Sequence, residues 1–520
     1  MKKTNPVFSL KNFRSFGADG ADFELAPITV LTGCNSAGKS SLVKALMLLS
    51  NQPKENSMSS SAYEIKRFLP EQKLNISAKD LMLGTFDKVL NDKAENKEIV
   101  LSYKIWSDFL QETIVVKRVF IPIAGDVQNN GMLTSFSIEK NDGSLISLST
   151  FGYDLFPREV KKNFNVIEDN YDRFLKVVDY FRAKQLYKAK DSADSKYLEK
   201  ITLWYEKSAS VLESNGIQAE SYDEQNLGIW IGYYYPIFNN EENAFFKSVR
   251  TEQEVENEKK ESFISLIINE TVRPWFIAGN INYVNSSSAL INRLYSSEDD
   301  DKVCRALRTW NNRKYEEFFA DTVGKAYHPG QFLNRWIKEF QIGESVELEG
   351  TTEGLGFLVY LIKDGKKRLL ADEGYGISQL VSLLLQIDNN IELYNDPFDP
   401  RPEQLMCVEE PENHLHPKFQ SLLADMFVEA YQKHNIRFII ETHSEYLIRK
   451  LQVMVADKET SLVSGDVSLN YVEKNDEGIS HNRQIKILDD GSLSESFGSG
   501  FYDEADTLAI QLFRNKPILS

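Results

Sequence analysis

Gly33-Cys34-Asn35-Ser36-Ala37-Gly38-Lys39-Ser40 follows the apolar run Ile28 to Leu31 and precedes the helix-like run Ser41 to Leu49. The octapeptide fits G-x-x-x-x-G-K-[ST], and strand, glycine loop and helix come in the order a phosphate-binding loop needs. Gly33 and Gly38 can take backbone conformations closed to residues with a Cβ. Successive N–H groups from Asn35, Ser36, Ala37 and Gly38 through to Ser41 can then wrap a polyphosphate at a helix N-terminus. Lys39 is expected on the β- and γ-phosphates of ATP, and the Ser40 hydroxyl on Mg2+. A plain glycine turn before an ordinary helix is the competing reading, and the flanking strand and helix weigh against it.

Two later apolar strands end in groups that suit the same site. Leu405-Met406-Cys407-Val408 runs into Glu409-Glu410-Pro411-Glu412. A carboxylate at the end of a buried strand can hold magnesium through water, and the next one can polarise an attacking water. Glu409 is therefore expected as the metal residue and Glu410 as the catalytic base. Phe438-Ile439-Ile440 leads into Glu441-Thr442-His443-Ser444. A histidine at the C-terminal end of a neighbouring parallel strand faces the crevice that holds phosphates, so His443 is expected to sense the γ-phosphate. Alone it would read as a surface histidine; after two motifs in order it reads as part of the site.

The 520 residues are 42% hydrophobic and 26% charged, enough for two or three cores. No run approaches eighteen apolar residues, and Met1 to Lys11 lacks the apolar stretch of a signal peptide, so a cytoplasmic protein without a membrane partner is expected. Cys34, Cys304 and Cys407 are too few for a disulfide framework. A net charge of -17 argues against a surface that coats nucleic acid, though not against a local groove. The small cluster Lys366, Lys367 and Arg368 reads as a solvated hairpin end after the Asp364-Gly365 turn.

Along the chain, residues 1–95 read as the N-terminal part of a nucleotide-binding core. Residues 96–157 are β-rich with Asp, Asn and Gly turns, an antiparallel subdomain. In residues 158–261, Tyr171, Phe174, Leu175, Val178 and Phe181 recur at helical spacing, and Tyr197, Ile201, Trp204 and Tyr205 repeat the theme. That segment is a helical insertion and a candidate docking surface. Asn239 to Glu261 is mostly charged and reads as an exposed helix or connection. Residues 262–368 return to the core, and residues 369–520 alternate apolar strands with helices, the mark of a parallel sheet.

These motifs together resemble the ATP-binding-cassette (ABC) class of P-loop ATPases, in the branch of the SMC, Rad50, RecF and OLD proteins. Asn12-Phe13-Arg14-Ser15-Phe16 matches the opening strand of that branch. The resemblance covers about residues 1–95 and 340–520. It implies an α/β fold: an ABC-type head with a mixed or parallel sheet, carrying here an antiparallel β subdomain and a helical insertion. Asp372-Glu373-Gly374-Tyr375-Gly376-Ile377-Ser378-Gln379 stands where such proteins have their signature loop. It departs from LSGGQ and is similar to the G-x-G-x-S-Q form of bacterial stand-alone ATPases, including DUF3696-type proteins. Gly374 and Gly376 would allow close approach, and Ser378, Gln379 and the following helix would offer donors to a γ-phosphate held by the opposite subunit.

Weaker assignments complete the picture. Glu412-Asn413-His414-Leu415-His416-Pro417 falls at the family's D-loop, and its H-x-H spacing admits a transition metal as a minor reading. Leu81, Gly84, Thr85, Phe86 and Asp87, or alternatively Gln52, stand for the Q-loop. Phe501-Tyr502-Asp503-Glu504 resembles the ending of the DUF3696-type chains, with Tyr502 as a departure.

The resemblance implies a homodimer or higher homo-oligomer tightened by ATP, because each signature loop covers the other head's nucleotide. It also implies a regulatory ATPase of bacterial anti-phage defence, acting on an effector protein, a nuclease or toxin encoded nearby. The stretch after His443 is too short for the TOPRIM nuclease domain of OLD proteins. A RecF-like repair factor with nucleic acid as partner, and a nucleotide-gated scaffold with negligible turnover, are the competing classes.

Overall fold

The computed structural model describes chiefly residues 4–50, 83–123, 130–149, 159–166, 168–188, 195–218, 281–286, 302–320, 328–350, 356–391 and 404–498, with scattered residues between 73 and 81, between 125 and 126, between 260 and 296, at 351 and between 508 and 511. The chain divides into two compact units, Met1–Asn12 with Gln52–Pro274, and Phe13–Asn51 with Trp275–Ser520. Gln52, most of Asn239 to Glu261, and Phe501 to Glu504 lie outside the described residues.

The first unit is built on an antiparallel sheet. Strand Val7–Lys11 pairs with Ile99–Ser107, followed in order by Glu112–Pro122, Gly131–Lys140, Gly143–Ser149 and Glu159–Lys162. Ile99, Leu101, Tyr103 and Ile105 are buried while the residues between them are not, the period-two pattern of a strand with one covered face. Arg118 is buried and donates to the Tyr103 hydroxyl at 3.2 Å, which itself donates to the Thr271 carbonyl at 2.5 Å. Helices Glu168–Lys188 and Ser195–Ser214 pack together through stacked Tyr180 and Tyr205 rings 5.7 Å apart and through Trp204 Nε1, 3.1 Å from Asp179. Tyr171, Phe174, Val178 and Phe181 turn inward, as their spacing requires.

The second unit holds a six-stranded sheet in the order Ile281–Val284, Gln404–Glu409, Ile436–Glu441, Ile28–Gly33, Val467–Lys474, Ser480–Ile485. The first five strands are parallel and the last is antiparallel. Every residue of Ile28–Gly33 is buried, which is why the strand is mostly apolar and its threonines and glycine are small and uncharged. Helix Gln331–Glu339 buries Phe332, Leu333, Trp336 and Ile337. The wholly buried Asp388, in helix Tyr375–Asn390, accepts from Trp310 Nε1 at 3.1 Å, Gly330 N at 2.8 Å and Leu333 N at 3.3 Å, tying three helices at one carboxylate.

Strands Ser345–Gly350, Gly356–Lys363 and Lys366–Leu369 form a small antiparallel sheet. There Lys367 sits 3.0 Å from Glu347 and 3.3 Å from Glu349, so the middle charge of the basic cluster is balanced within the sheet. The α/β class, the mixed sheet, the antiparallel subdomain and a helical pair inside the insertion are thus all present. Among the described residues, no helix is long and apolar enough to cross a membrane.

Candidate nucleotide site

The glycine loop, the acidic strand end, His443 and the signature-like loop lie in the second unit, and the parallel sheet gathers most of them. Gly33 ends the strand Ile28–Gly33 with φ +130°, Ser36 has φ +57° and Gly38 φ +104°, after which helix Lys39–Ser50 begins. A Cβ on Gly33 would overlap the Val472 carbonyl of the neighbouring strand, and one on Gly38 would overlap the Ser15 hydroxyl. Both glycines are therefore required twice, by dihedral and by room. The loop is further clamped by the Ser480 hydroxyl, which donates to the Ala37 carbonyl at 2.5 Å. Asn35, Ser36 and Ala37 follow in this turn and Ser41 in the first turn of the helix.

Lys39 is buried and bends back over its own loop, donating to the carbonyls of Gly33 at 3.2 Å and Cys34 at 3.0 Å. Its Nζ is 3.9 Å from Glu441 Oε1. Burial lowers its pKa and the carboxylates of Glu441 and Glu410 oppose that shift. The Ser40 side chain lies beside Glu441.

The acidic strand Gln404–Glu409 is one strand removed from the P-loop strand, and in the intervening strand Glu441 stands level with both Glu409 and Leu31. Glu409 shares a hydrogen bond with the Tyr283 hydroxyl, which takes a hydrogen bond from Lys44 Nζ at 3.0 Å. Burial raises the Tyr283 pKa, so it serves Glu409 as a neutral donor. Neither Tyr283 nor Lys44 was legible as a site residue; the one signal is Lys44 itself, a lone cation in the apolar helix run.

Glu410 sits just past the strand with φ +45°, a conformation that a non-glycine residue holds only under local constraint. The constraint is visible: its N–H donates to the Glu441 carbonyl at 2.7 Å, its carbonyl accepts from Asn413 N at 3.1 Å, and its Oε2 accepts from Asn413 Nδ2 at 2.6 Å. His443 follows the intervening strand; its N–H donates to Glu412 Oε1 at 2.6 Å. Burial lowers the His443 pKa and Lys39 pushes the same way, favouring the neutral imidazole. Burial raises the pKa of Glu412 and of Glu441.

The signature-like loop is organised differently from the sequence reading. Gly374 caps helix Tyr375–Asn390 and has open space where a Cβ would stand. Gly376 lies inside the helix, where a Cβ would overlap the His414 carbonyl. Tyr375 meets the His414 ring edge-on at 4.9 Å. The Ser378 hydroxyl, expected to face an opposite subunit's phosphate, is fully buried and donates to Leu370 O at 3.1 Å. Gln379 is also buried and its Nε2 points to the Glu410 carbonyl at 3.4 Å. In this structure these two polar side chains bind their own chain, Ser378 at Leu370 and Gln379 at the acidic loop.

The H-x-H metal reading does not hold. His416 caps helix Pro417–His434 by accepting from Lys418 N, and among the described residues no group of three or more His, Cys, Asp or Glu side chains could hold a metal ion. The segment at Gly84 to Asp87 falls in the first unit, with Phe86 in its core.

Residues 7–448 match the protein family described as the AAA ATPase domain. No curated protein matches the chain. Solved structures similar to it include an SMC head bound to the C-terminal winged-helix domain of ScpA, at 11% identity and TM-score 0.42 over 93% of this chain and 98% of that one. Another is the Pyrococcus furiosus SMC head with an extended coiled coil bound to the C-terminal domain of ScpA, at 12% identity and TM-score 0.39 over 98% and 100%. A third is the SMC head domain from Thermotoga maritima, at 11% identity and TM-score 0.35 over 93% and 98%.

Proposed function

Because the chain belongs to the AAA ATPase domain family, we propose that it binds and hydrolyses ATP in an ABC-type head, pairs with a second copy through the nucleotide, and so regulates a partner effector. One observation carries the reading: the glycine loop, Glu409, Glu410 and His443 stand at the ends of three adjacent parallel strands. The residues fit a nucleotide and its magnesium. Gly33 and Gly38 carry the loop through positive φ, and a helix N-terminus follows it.

Within that loop, the amides would hold phosphate oxygens and Lys39 would swing from the Gly33 and Cys34 carbonyls to them. Ser40 and Glu409 would hold magnesium, which supplies charge neutralisation at the phosphates when bound. Tyr283 and Lys44 fix the Glu409 carboxylate from behind. Glu410, steadied by Asn413, would accept the proton of the attacking water, and His443 would contact the γ-phosphate as a neutral donor or acceptor.

The exposed glycine at 374, ahead of a helix N-terminus, supports the sandwich of two copies. The helical pair, with Leu203 65% exposed, is the surface we offer to the effector, which we take to be a nuclease or toxin of anti-phage defence. The test is phosphate release together with mass in solution for wild type and Glu410→Gln. Turnover should fall by about 10²- to 10⁴-fold, the range for loss of a general base, while the ATP-bound dimer accumulates. A monomer at all ATP concentrations would remove the sandwich; undiminished turnover would remove Glu410 as base. Deleting residues 158–261 should abolish capture of the effector without abolishing nucleotide binding.

A further inference from the structure

Glu441 ends the strand that separates the P-loop strand from the acidic strand, and none of the roles above uses it. It is 8% exposed. It lies beside the Ser40 hydroxyl and faces Lys39 Nζ at 3.9 Å, while its Oε2 is buried without a hydrogen-bond partner. A buried carboxylate with half its acceptor capacity unused is unfavourable unless something else satisfies it. Its two partners are the side chains that a magnesium triphosphate would claim.

Resting on the nucleotide-site reading above, we propose that Glu441 makes nucleotide binding conditional on a divalent cation. A bare triphosphate entering the loop meets the charge of Glu441 beside Ser40 and finds Lys39 partly neutralised. A triphosphate that brings a divalent cation offers the carboxylate a replacement for Lys39, which is released to the ligand. Glu409 and Glu410 add negative charge to the same opening, but among the three only Glu441 comes within ion-pair distance of Lys39. Replacing it with a neutral residue removes the condition.

The experiment is equilibrium binding of a fluorescent ATP analogue to the full chain, in magnesium and in EDTA. Wild type should bind at least about a hundredfold more weakly in EDTA. Glu441→Gln should bind in EDTA at least about tenfold better than wild type, narrowing the gap, and Glu441→Asp, which keeps the charge, should preserve it. Should Glu441→Gln fail to give a cooperative thermal melt, Glu441→Ala carries the same expectation. A magnesium-to-EDTA ratio unchanged in the folded neutral variant overturns the proposal, as does wild type that binds equally in both conditions. Wild type that binds in neither condition defeats the nucleotide-site reading itself, which Lys39→Ala controls for by losing binding in both.

Discussion

The two glycine loops of the second unit use the same residue for different reasons. At Gly33 and Gly38 the backbone lies at positive φ and a side chain would strike a neighbour in the same unit, so the requirement for glycine is internal. At Gly376 the backbone is helical and only room is at stake, against the His414 carbonyl. At Gly374 φ is -57° and nothing stands near, so the fold of this chain makes no demand for glycine there. Any such demand must come from a molecule outside the chain.

Substitutions to alanine break or sharpen that contrast. The largest loss is expected for Gly33→Ala: strain at positive φ of about 1–2 kcal/mol adds to overpacking of about 1–3 kcal/mol against a strand backbone. Urea titration should show the midpoint falling steeply and nucleotide binding lost with it. Gly38→Ala comes next, since the Ser15 hydroxyl it meets can rotate away and leaves mainly the strain of about 1–2 kcal/mol. Its melting temperature should drop modestly while affinity for ATP collapses, because the amide nest is distorted.

Gly376→Ala should cost about 1–3 kcal/mol of overpacking. It should also slow turnover more than it weakens binding, since the helix shift moves Gln379 against Glu410; equal effects on both would refute that link. Gly374→Ala should leave stability within about 0.5 kcal/mol. If a second copy covers this glycine, ATP-driven dimer formation falls while binding by the monomer is unchanged. An unaltered dimer would place the partner contact elsewhere.

Much of this site was readable because its parts are local. An apolar run ending in G-x-x-x-x-G-K-S states both the strand and the turn that follows it, and Leu405 to Glu410 and Phe438 to His443 do the same for their strands. The alternation from Ile99 to Ser107 likewise declared a one-faced sheet. What escaped depends on register between distant segments. Nothing near Tyr283 says that its strand lies beside Glu409, and nothing in Glu441-Thr442-His443-Ser444 says that the first residue, rather than the third, reaches Ser40. The Ser378 hydroxyl was misjudged for a related reason: spacing on a helix fixes which residues share a face, but only packing decides which face is covered.

Strand Ile28–Gly33 also has a consequence for how the molecule is made. Both of its neighbours, Ile436–Glu441 and Val467–Lys474, emerge from the ribosome more than four hundred residues later. At about 5–20 residues per second, that wait is roughly 20–80 s. Through it, an early segment that is wholly buried in the folded protein has no sheet to join. Translation arrested before residue 436 would thus release a chain with an intact phosphate-loop sequence but no platform to hold it, and newborn copies should lean on holdase chaperones more than a protein of this size with neighbouring strands in sequence.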